Sequence, residues 1–204
     1  MTGSLAWLLV FLALAVVFVR RRSVAVGLVT AQALVLAGIA FDQAGTGSEV
    51  IASVALVTRA VALGALLLLV VARSREAQPV RARVGPAVRA GMAVALILAL
   101  TGLVPHLGLT SRADERAVLA LLAAGLICAA TRRATLFQVL GIVLVENGLA
   151  LAALEFPRTS SLVIELGVTL DLTLIAFVAT LFHLRIYAEF GAGDSGVLRS
   201  LRDT

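Results

Sequence analysis

Seven apolar segments, most of them close to 20 residues long, determine what this chain can fold into. A helix of about 20 apolar residues spans the hydrocarbon core of a bilayer. Lipid offers no hydrogen bonds to the backbone, so a membrane-spanning chain must form helices or a closed β-barrel. The segments do not alternate between apolar and polar residues, which favours helices. We therefore predict an all-α membrane helix bundle with about seven transmembrane helices. The segments are residues 4–19, 24–41, 50–72, 90–104, 117–131, 134–154 and 162–182.

The composition agrees with a chain that lies in the lipid bilayer. Hydrophobic residues make up 61% of it and charged residues only 14%, whereas soluble domains contain about 25% charged residues. The net charge of +5 would also suit a nucleic acid. However, all seventeen basic residues are arginines, and they gather at the ends of the apolar segments. That placement is typical of membrane topology, so we expect no nucleic-acid partner.

The distribution of arginines predicts the orientation of the chain. Thirteen of them lie in the loops after segments 1, 3 and 5 and in the C-terminal tail, and three lie in the loops after segments 2, 4 and 6. Arginine is enriched in cytoplasmic loops. The N-terminus is therefore expected outside and the C-terminus in the cytoplasm. The remaining arginine, Arg59, lies inside the third segment.

Three carboxylates lie inside apolar segments, where an acid costs roughly 2.5–3.5 kcal/mol on insertion scales. They are Glu146, Glu165 and Asp171. Segments 6 and 7 are joined by a short loop and should be antiparallel neighbours. A rise of 1.5 Å per residue then places Glu146 and Asp171 roughly 12–14 Å below the outer boundary, near the middle of the membrane. Arg59 falls at the same depth, and Glu165 lies one turn nearer the outside.

These charges fit two interpretations. They can pass a proton or ion across the membrane, with Glu146, Glu165 and Asp171 as relay groups tuned by Arg59. They can equally form a static ion pair that organises helix packing. Several neighbouring residues are expected to support either arrangement through helix packing or hydrogen bonds, with Gln32 and Gln138 as further helix contacts. The supporting residues are Asn147, Gly141, Gly148, Thr169, Thr173 and His183.

Cys128 is the single cysteine of the chain. Iron–sulfur clusters and structural zinc sites need several converging ligands. We therefore expect no metal, no cofactor and no catalytic residue, and we expect Cys128 to be a small buried hydrophobic residue.

The sequence RRATLFQVLGIVLVENGLALAAL, followed by LVIELGVTLDLTLIAFVATLF, resembles the E subunit of hydrogenase-4 and formate hydrogenlyase type membrane complexes. The characteristic pieces are Gly141, Glu146-Asn147-Gly148, Glu165-Leu166-Gly167 and Leu170-Asp171. Residues 117–185 are more distantly similar to the three-helix K subunit of respiratory complex I. In one respect the chain differs: the K subunit's glutamate would fall on Val143, one helical turn before Glu146.

The resemblance implies a non-catalytic membrane-arm subunit in the plasma membrane of a prokaryote. Such a subunit contributes to proton or sodium translocation, while a nickel–iron hydrogenase-like module and antiporter-like subunits are its partners. It divides the chain into a four-helix part at 1–116, a K-subunit-like part at 117–185 and a cytoplasmic tail at 186–204. Two other functions stay open, a scaffold that packs antiporter-like subunits and an independent small carrier for a cation or metabolite.

Overall fold

The computed structural model describes residues 2–73, 84–109, 111–132 and 134–155. Over these ranges the chain forms six α-helices and no β-strand. The helices are α1 (Thr2–Phe18), α2 (Arg22–Gln43), α3 (Gly47–Arg73), α4 (Pro86–Leu103), α5 (Arg112–Thr131) and α6 (Thr135–Glu155). The predicted seventh segment and the tail lie outside the described residues.

Four of the helices, α2, α3, α4 and α6, are long and apolar enough to cross a membrane. The apolar helix α1 is shorter, and the first turn of α5 carries Asp114 and Glu115. Many large apolar side chains are exposed, among them Phe11 at 68%, Leu98 at 66% and Leu103 at 83%. Apolar surface of this extent needs lipid or another protein to cover it, which marks the chain as a membrane protein.

Helices α4 and α5 begin before their apolar segments because the preceding residues favour a helix start. Pro86 occupies the first turn of α4, where a missing N–H costs nothing. Ser111 caps α5, since its Oγ accepts a hydrogen bond from the backbone N–H of Asp114 at 3.1 Å and donates to the Asp114 carboxylate at 2.5 Å. At the start of α3, the Glu49 carboxylate accepts from the backbone N–H groups of Gly45 and Thr46.

The closest helix pair is the α5–α6 hairpin, and two glycines allow its close approach. A Cβ on Gly125 would lie 2.7 Å from the backbone oxygen of Gly141, and one on Gly141 would lie 2.7 Å from the backbone N of Ala129. Helix α1 packs against α2, α4 and α5, while α2 also contacts α3 and α6. Helix α2 therefore packs against both α3 and α6.

Successive helices run in opposite directions, so the bundle has two distinct ends. Helices α1, α3 and α5 end at the same side of the bundle, which we call the arginine-rich end. It carries Arg20, Arg21, Arg22, Arg73, Arg89 and Arg132. The opposite end is called the acidic end; it carries Asp42, Glu49, Asp114, Glu115 and Glu155. Two arginines that the sequence places in loops, Arg89 and Arg132, are buried at 1% and 2% exposure.

Candidate functional site

Four buried polar side chains meet at the middle of the helix bundle. Arg59 of α3 is 7% exposed, Glu146 of α6 3%, and both Asn147 of α6 and Gln32 of α2 0%. Each lies close to the midpoint of its own helix. We call these four residues, with the backbone carbonyl of Leu9 in α1, the mid-helix network.

The centre of the network is an ion pair between Arg59 and Glu146. Nη1 of Arg59 donates to Oε1 of Glu146. Nη2 of the same guanidinium donates to Oδ1 of Asn147 at 3.1 Å. The planar guanidinium presents several donors in a fixed geometry, so one arginine can hold two successive residues of the facing helix.

Two amides extend the network to the other side of the bundle. Nδ2 of Asn147 donates to Oε1 of Gln32 at 3.0 Å. Nε2 of Gln32 donates to the Leu9 carbonyl at 2.9 Å. The amides of Asn147 and Gln32 thus each donate one hydrogen bond and accept one. The network connects α3, α6, α2 and α1 without leaving the buried interior.

One carboxylate oxygen of the ion pair has no hydrogen-bond partner within the described ranges. This atom is Oε2 of Glu146, and Nε of Arg59 shares that property. Burying a polar atom without a partner costs free energy on the order of 1–3 kcal/mol. Oε2 is therefore the position in the network where a proton or another donor is most strongly favoured.

A small cavity lies beside Arg59, between α2 and α3. Its volume of about 10 Å³ is close to the room that one water molecule needs. Thr30 and Gly64 line it together with Val143 of α6. Leu67, another lining residue, is two turns nearer the arginine-rich end than Arg59, so the cavity lies on that side of the ion pair.

Glycines bring the helices around the site close together. A Cβ on Gly64 would lie 2.6 Å from Oγ1 of Thr30, so α2 and α3 touch beside the cavity. Gly148 faces Leu121 of α5, with 3.1 Å between its added Cβ and that of Leu121. Together with Gly141, this glycine sets the position of α6 against α5, and with it the position of Glu146.

The structure brings Arg59, Glu146 and Asn147 of the predicted site into direct contact. The other predicted relay residues, Glu165 and Asp171, and the supporting Thr169, Thr173 and His183 lie outside the described residues. The predicted depths of Asp171, level with Arg59, and of Glu165, one turn nearer the outside, stay predictions.

Gln32 is a part of the network that sequence reasoning assigned only to helix packing. In the sequence, Gln32 is a single amide in an apolar segment, and this pattern does not reveal which residue the amide bonds to. The amide is the only side chain that links Asn147 to α1 within the described ranges. Cys128 is 1% exposed, and its Sγ donates to the Phe137 carbonyl at 3.4 Å, as a small buried residue.

A second polar contact lies at the acidic end. Nδ1 of His106 is 2.5 Å from Oε2 of Glu115, and the backbone N–H of Leu107 donates to Oε1 of Glu115 at 3.2 Å. Burial on its own would raise the pKa of Glu115, but these hydrogen bonds and the charges of His106 and Arg112 lower it below its ordinary value. Among the described residues, no three His, Cys, Asp or Glu side chains converge on a metal-sized site.

Comparison with known proteins adds no relative. No family model matches the chain, and no curated protein or solved structure matches it either. The resemblance of residues 117–185 to hydrogenase-4 E subunits therefore stays a prediction from the motif residues alone.

Proposed function

We propose that the chain is a non-catalytic membrane-arm subunit of a complex I-like, group 4 hydrogenase type complex. In this function it contributes to proton or sodium translocation, coupled to electron transfer in other subunits. The observation that supports it is the buried Arg59–Glu146 ion pair at mid-length of the helices. A charge at this depth is expensive and is typically retained for ion transfer.

In the proposal, Glu146 accepts and donates the transferred proton. The atom that would take the proton is Oε2, which is buried and has no hydrogen-bond partner within the described ranges. When Glu146 takes up a proton, Arg59 keeps its second bond, to Oδ1 of Asn147. The guanidinium is therefore held in place in both protonation states, and the bundle need not rearrange.

The amides of the network position the ion pair and do not conduct. Asn147 and Gln32 do not exchange protons near neutral pH, and the Leu9 carbonyl only accepts. In the proposal the proton passes through the Glu146 carboxylate, and the cavity beside Arg59 has room for the one water molecule that would deliver it. In the proposal, Asp171 and Glu165 continue the relay towards the outer side.

The experiment compares Glu146→Gln with the wild type in the assembled complex. The expected result is loss of ion translocation per assembled complex, because glutamine keeps the shape and the bond from Arg59 but cannot ionise. Glu155→Gln is the matched control, since Glu155 is also buried on α6 but lies at its acidic end. Unchanged translocation in a complex containing Glu146→Gln would refute the relay function.

A structural scaffold is the second candidate, and one observation favours it. The mid-helix network ties together four helices that are otherwise joined mainly by apolar contacts. If packing is its purpose, Glu146→Gln and Arg59→Gln lower the yield of the complex in proportion to transport. Measuring both quantities in the same preparations separates the two candidates.

A further inference from the structure

A second group of buried charges lies at the arginine-rich end, far from the mid-helix network. Arg89 is in the first turn of α4, and Arg132 directly follows α5. Their exposures of 1% and 2% place both among the largest fully buried side chains. Helix α4 packs against α1 and α5, so these two arginines lie where α1 and α5 end and α4 begins.

Part of the Arg132 guanidinium is well bound. Its Nη2 donates to the carbonyls of Val17 at 3.0 Å and Val19 at 2.5 Å, which satisfies the free end of α1. The guanidinium carbon lies 4.2 Å from the centre of the Phe137 ring. Nε and Nη1 are buried without a hydrogen-bond partner in the described part of the chain.

Arg89 is more unusual, since all three of its guanidinium nitrogens are buried and have no partner among the described residues. Arg89 also acts on Arg132: the pKa of Arg132 is lowered to about 10, first by burial and then by the positive charge of Arg89. The exposed Arg20 adds a third positive charge nearby. Two buried cations of the same sign therefore lie together.

No described carboxylate can neutralise this pair. Asp114 and Glu115 lie at the opposite end of α5, a helix of 20 residues, and thus roughly 25–30 Å away at 1.5 Å per residue. The other described acids lie at the acidic end or, for Glu146, at mid-depth with Arg59. A buried guanidinium without a counter-charge is strongly unfavourable. Within the described ranges, therefore, no anion balances the charge of these two arginines.

We propose that Arg89 and Arg132 form a binding site for the phosphate group of an anionic membrane lipid. The two guanidinium groups offer planar donors that match phosphate oxygens. The start of α4 adds partial positive charge at the same place. The site lies at the ends of the helices, where the headgroups of a bilayer crossed by these helices would be, and basic pockets between membrane helices commonly hold such groups.

The test uses the full chain, purified in detergent and depleted of lipid, with binding measured by native mass spectrometry. The probes are phosphatidylglycerol, zwitterionic phosphatidylcholine and inorganic phosphate. We expect the wild type to bind phosphatidylglycerol at least about tenfold more tightly than phosphatidylcholine, and Arg89→Gln to lose that preference. Arg89→Lys, which keeps the charge but not the fork, should fall between them.

Arg73→Gln is the matched control, because Arg73 is exposed at the same end of the bundle and the variant removes the same charge. Its preference for phosphatidylglycerol should equal that of the wild type. An equal loss in Arg73→Gln and Arg89→Gln would overturn the proposal, since it would assign the preference to the general charge of that surface.

A measurement on the wild type alone keeps the proposal testable if Arg89→Gln does not fold. Inorganic phosphate should displace bound phosphatidylglycerol but should not match its affinity, since it lacks the acyl chains that lie along the apolar helices. Stronger binding of free phosphate than of lipid would overturn the lipid assignment in favour of a soluble phosphate. Equal binding of both lipids, with no effect of phosphate, would overturn the site altogether.

Discussion

Arg59 and Glu146 are 87 positions apart in the chain and form a buried ion pair at the midpoints of α3 and α6. The same arginine also holds Asn147. Helix α2 packs against both α3 and α6. The ion pair adds a direct polar contact between α3 and α6, and it lies where a charge is most costly.

The first prediction concerns the energy of this pair. Arg59→Leu leaves a buried carboxylate without its counter-charge, and we expect the free energy of unfolding to fall by about 3–5 kcal/mol. The double variant with Arg59→Leu and Glu146→Leu removes both charges and should recover most of that loss. Chemical unfolding of the purified chain in detergent measures the four corners of the cycle. A double variant no more stable than Arg59→Leu would show that the carboxylate is not the source of the loss.

Much of the fold could be predicted because each apolar segment is close to the length of one membrane crossing. Six of the seven predicted segments correspond to the six described helices. The common depth of Arg59 and Glu146 followed from the regular rise of antiparallel helices. The starts of α4 and α5 lie furthest from the predicted bounds, and in the direction expected for two short segments, because Pro86 and Ser111 extend these helices into their polar flanks.

The rotation of each helix about its axis could not be predicted. Helices that are apolar on every side carry no stripe that marks the buried face. The close approach of Gly125 to Gly141 fixes one such rotation, and only the folded chain shows it. For the same reason Gln32 had no visible partner, and Arg89 looked like an ordinary loop arginine although it is buried.

Gln32→Leu should lower stability without abolishing the proposed ion transfer. The variant removes the partner of Nδ2 of Asn147, which leaves a buried donor unsatisfied at about 1–3 kcal/mol. The contact between Arg59 and Glu146 does not involve Gln32. Gln138→Leu is the control: Gln138 is partly buried, and its Nε2 bonds the Arg132 carbonyl at 3.3 Å, outside the mid-helix network. Unfolding and transport should be measured together, and lost transport at normal yield would assign Gln32 a direct part in transfer.

Gly125→Ala should weaken the α5–α6 hairpin. The new Cβ would lie 2.7 Å from the backbone oxygen of Gly141 and 2.8 Å from the backbone N of Val145, so the helices must move apart. Overpacking of this kind typically costs about 1–3 kcal/mol. Gly91→Ala in α4 is the control, because nothing lies within 4 Å of its added Cβ and alanine favours the helix. The thermal midpoint should fall for the first variant and stay level or rise for the second.

The contact between His106 and Glu115 predicts a dependence of stability on acid. The pKa of Glu115 is lowered in the folded chain, so its ionised form contributes stability above its unfolded pKa of about 4.3, and that stability is lost as the pH falls through the folded value. Two other charged residues lie at this end of α5: Arg112, whose charge also lowers the pKa of Glu115, and Asp114, which is bonded to Ser111. Glu115→Gln should therefore flatten the fall of the thermal midpoint below about pH 4.5. If the wild type and Glu115→Gln show the same pH profile, the contact between His106 and Glu115 is not the cause of the fall in acid.

The carboxylate of α6 can be moved by one helical turn, from position 146 to position 143. Val143 lines the cavity beside Arg59, so a carboxylate at this position can reach the same guanidinium from the side of the arginine-rich end. Glu146→Val should abolish the proposed translocation, and adding Val143→Glu should restore a measurable part of it. The matched control replaces Val143 by glutamine in the same background, which fills the cavity with a polar side chain that cannot ionise. Translocation is followed as ion uptake by vesicles containing the assembled complex. Recovery with glutamate but not with glutamine requires a titratable group beside Arg59. Equal recovery with both would show that no titratable group is needed beside Arg59. No recovery with glutamate, in a complex of normal yield, would show that the place of the acid determines transfer and that reaching Arg59 is not sufficient.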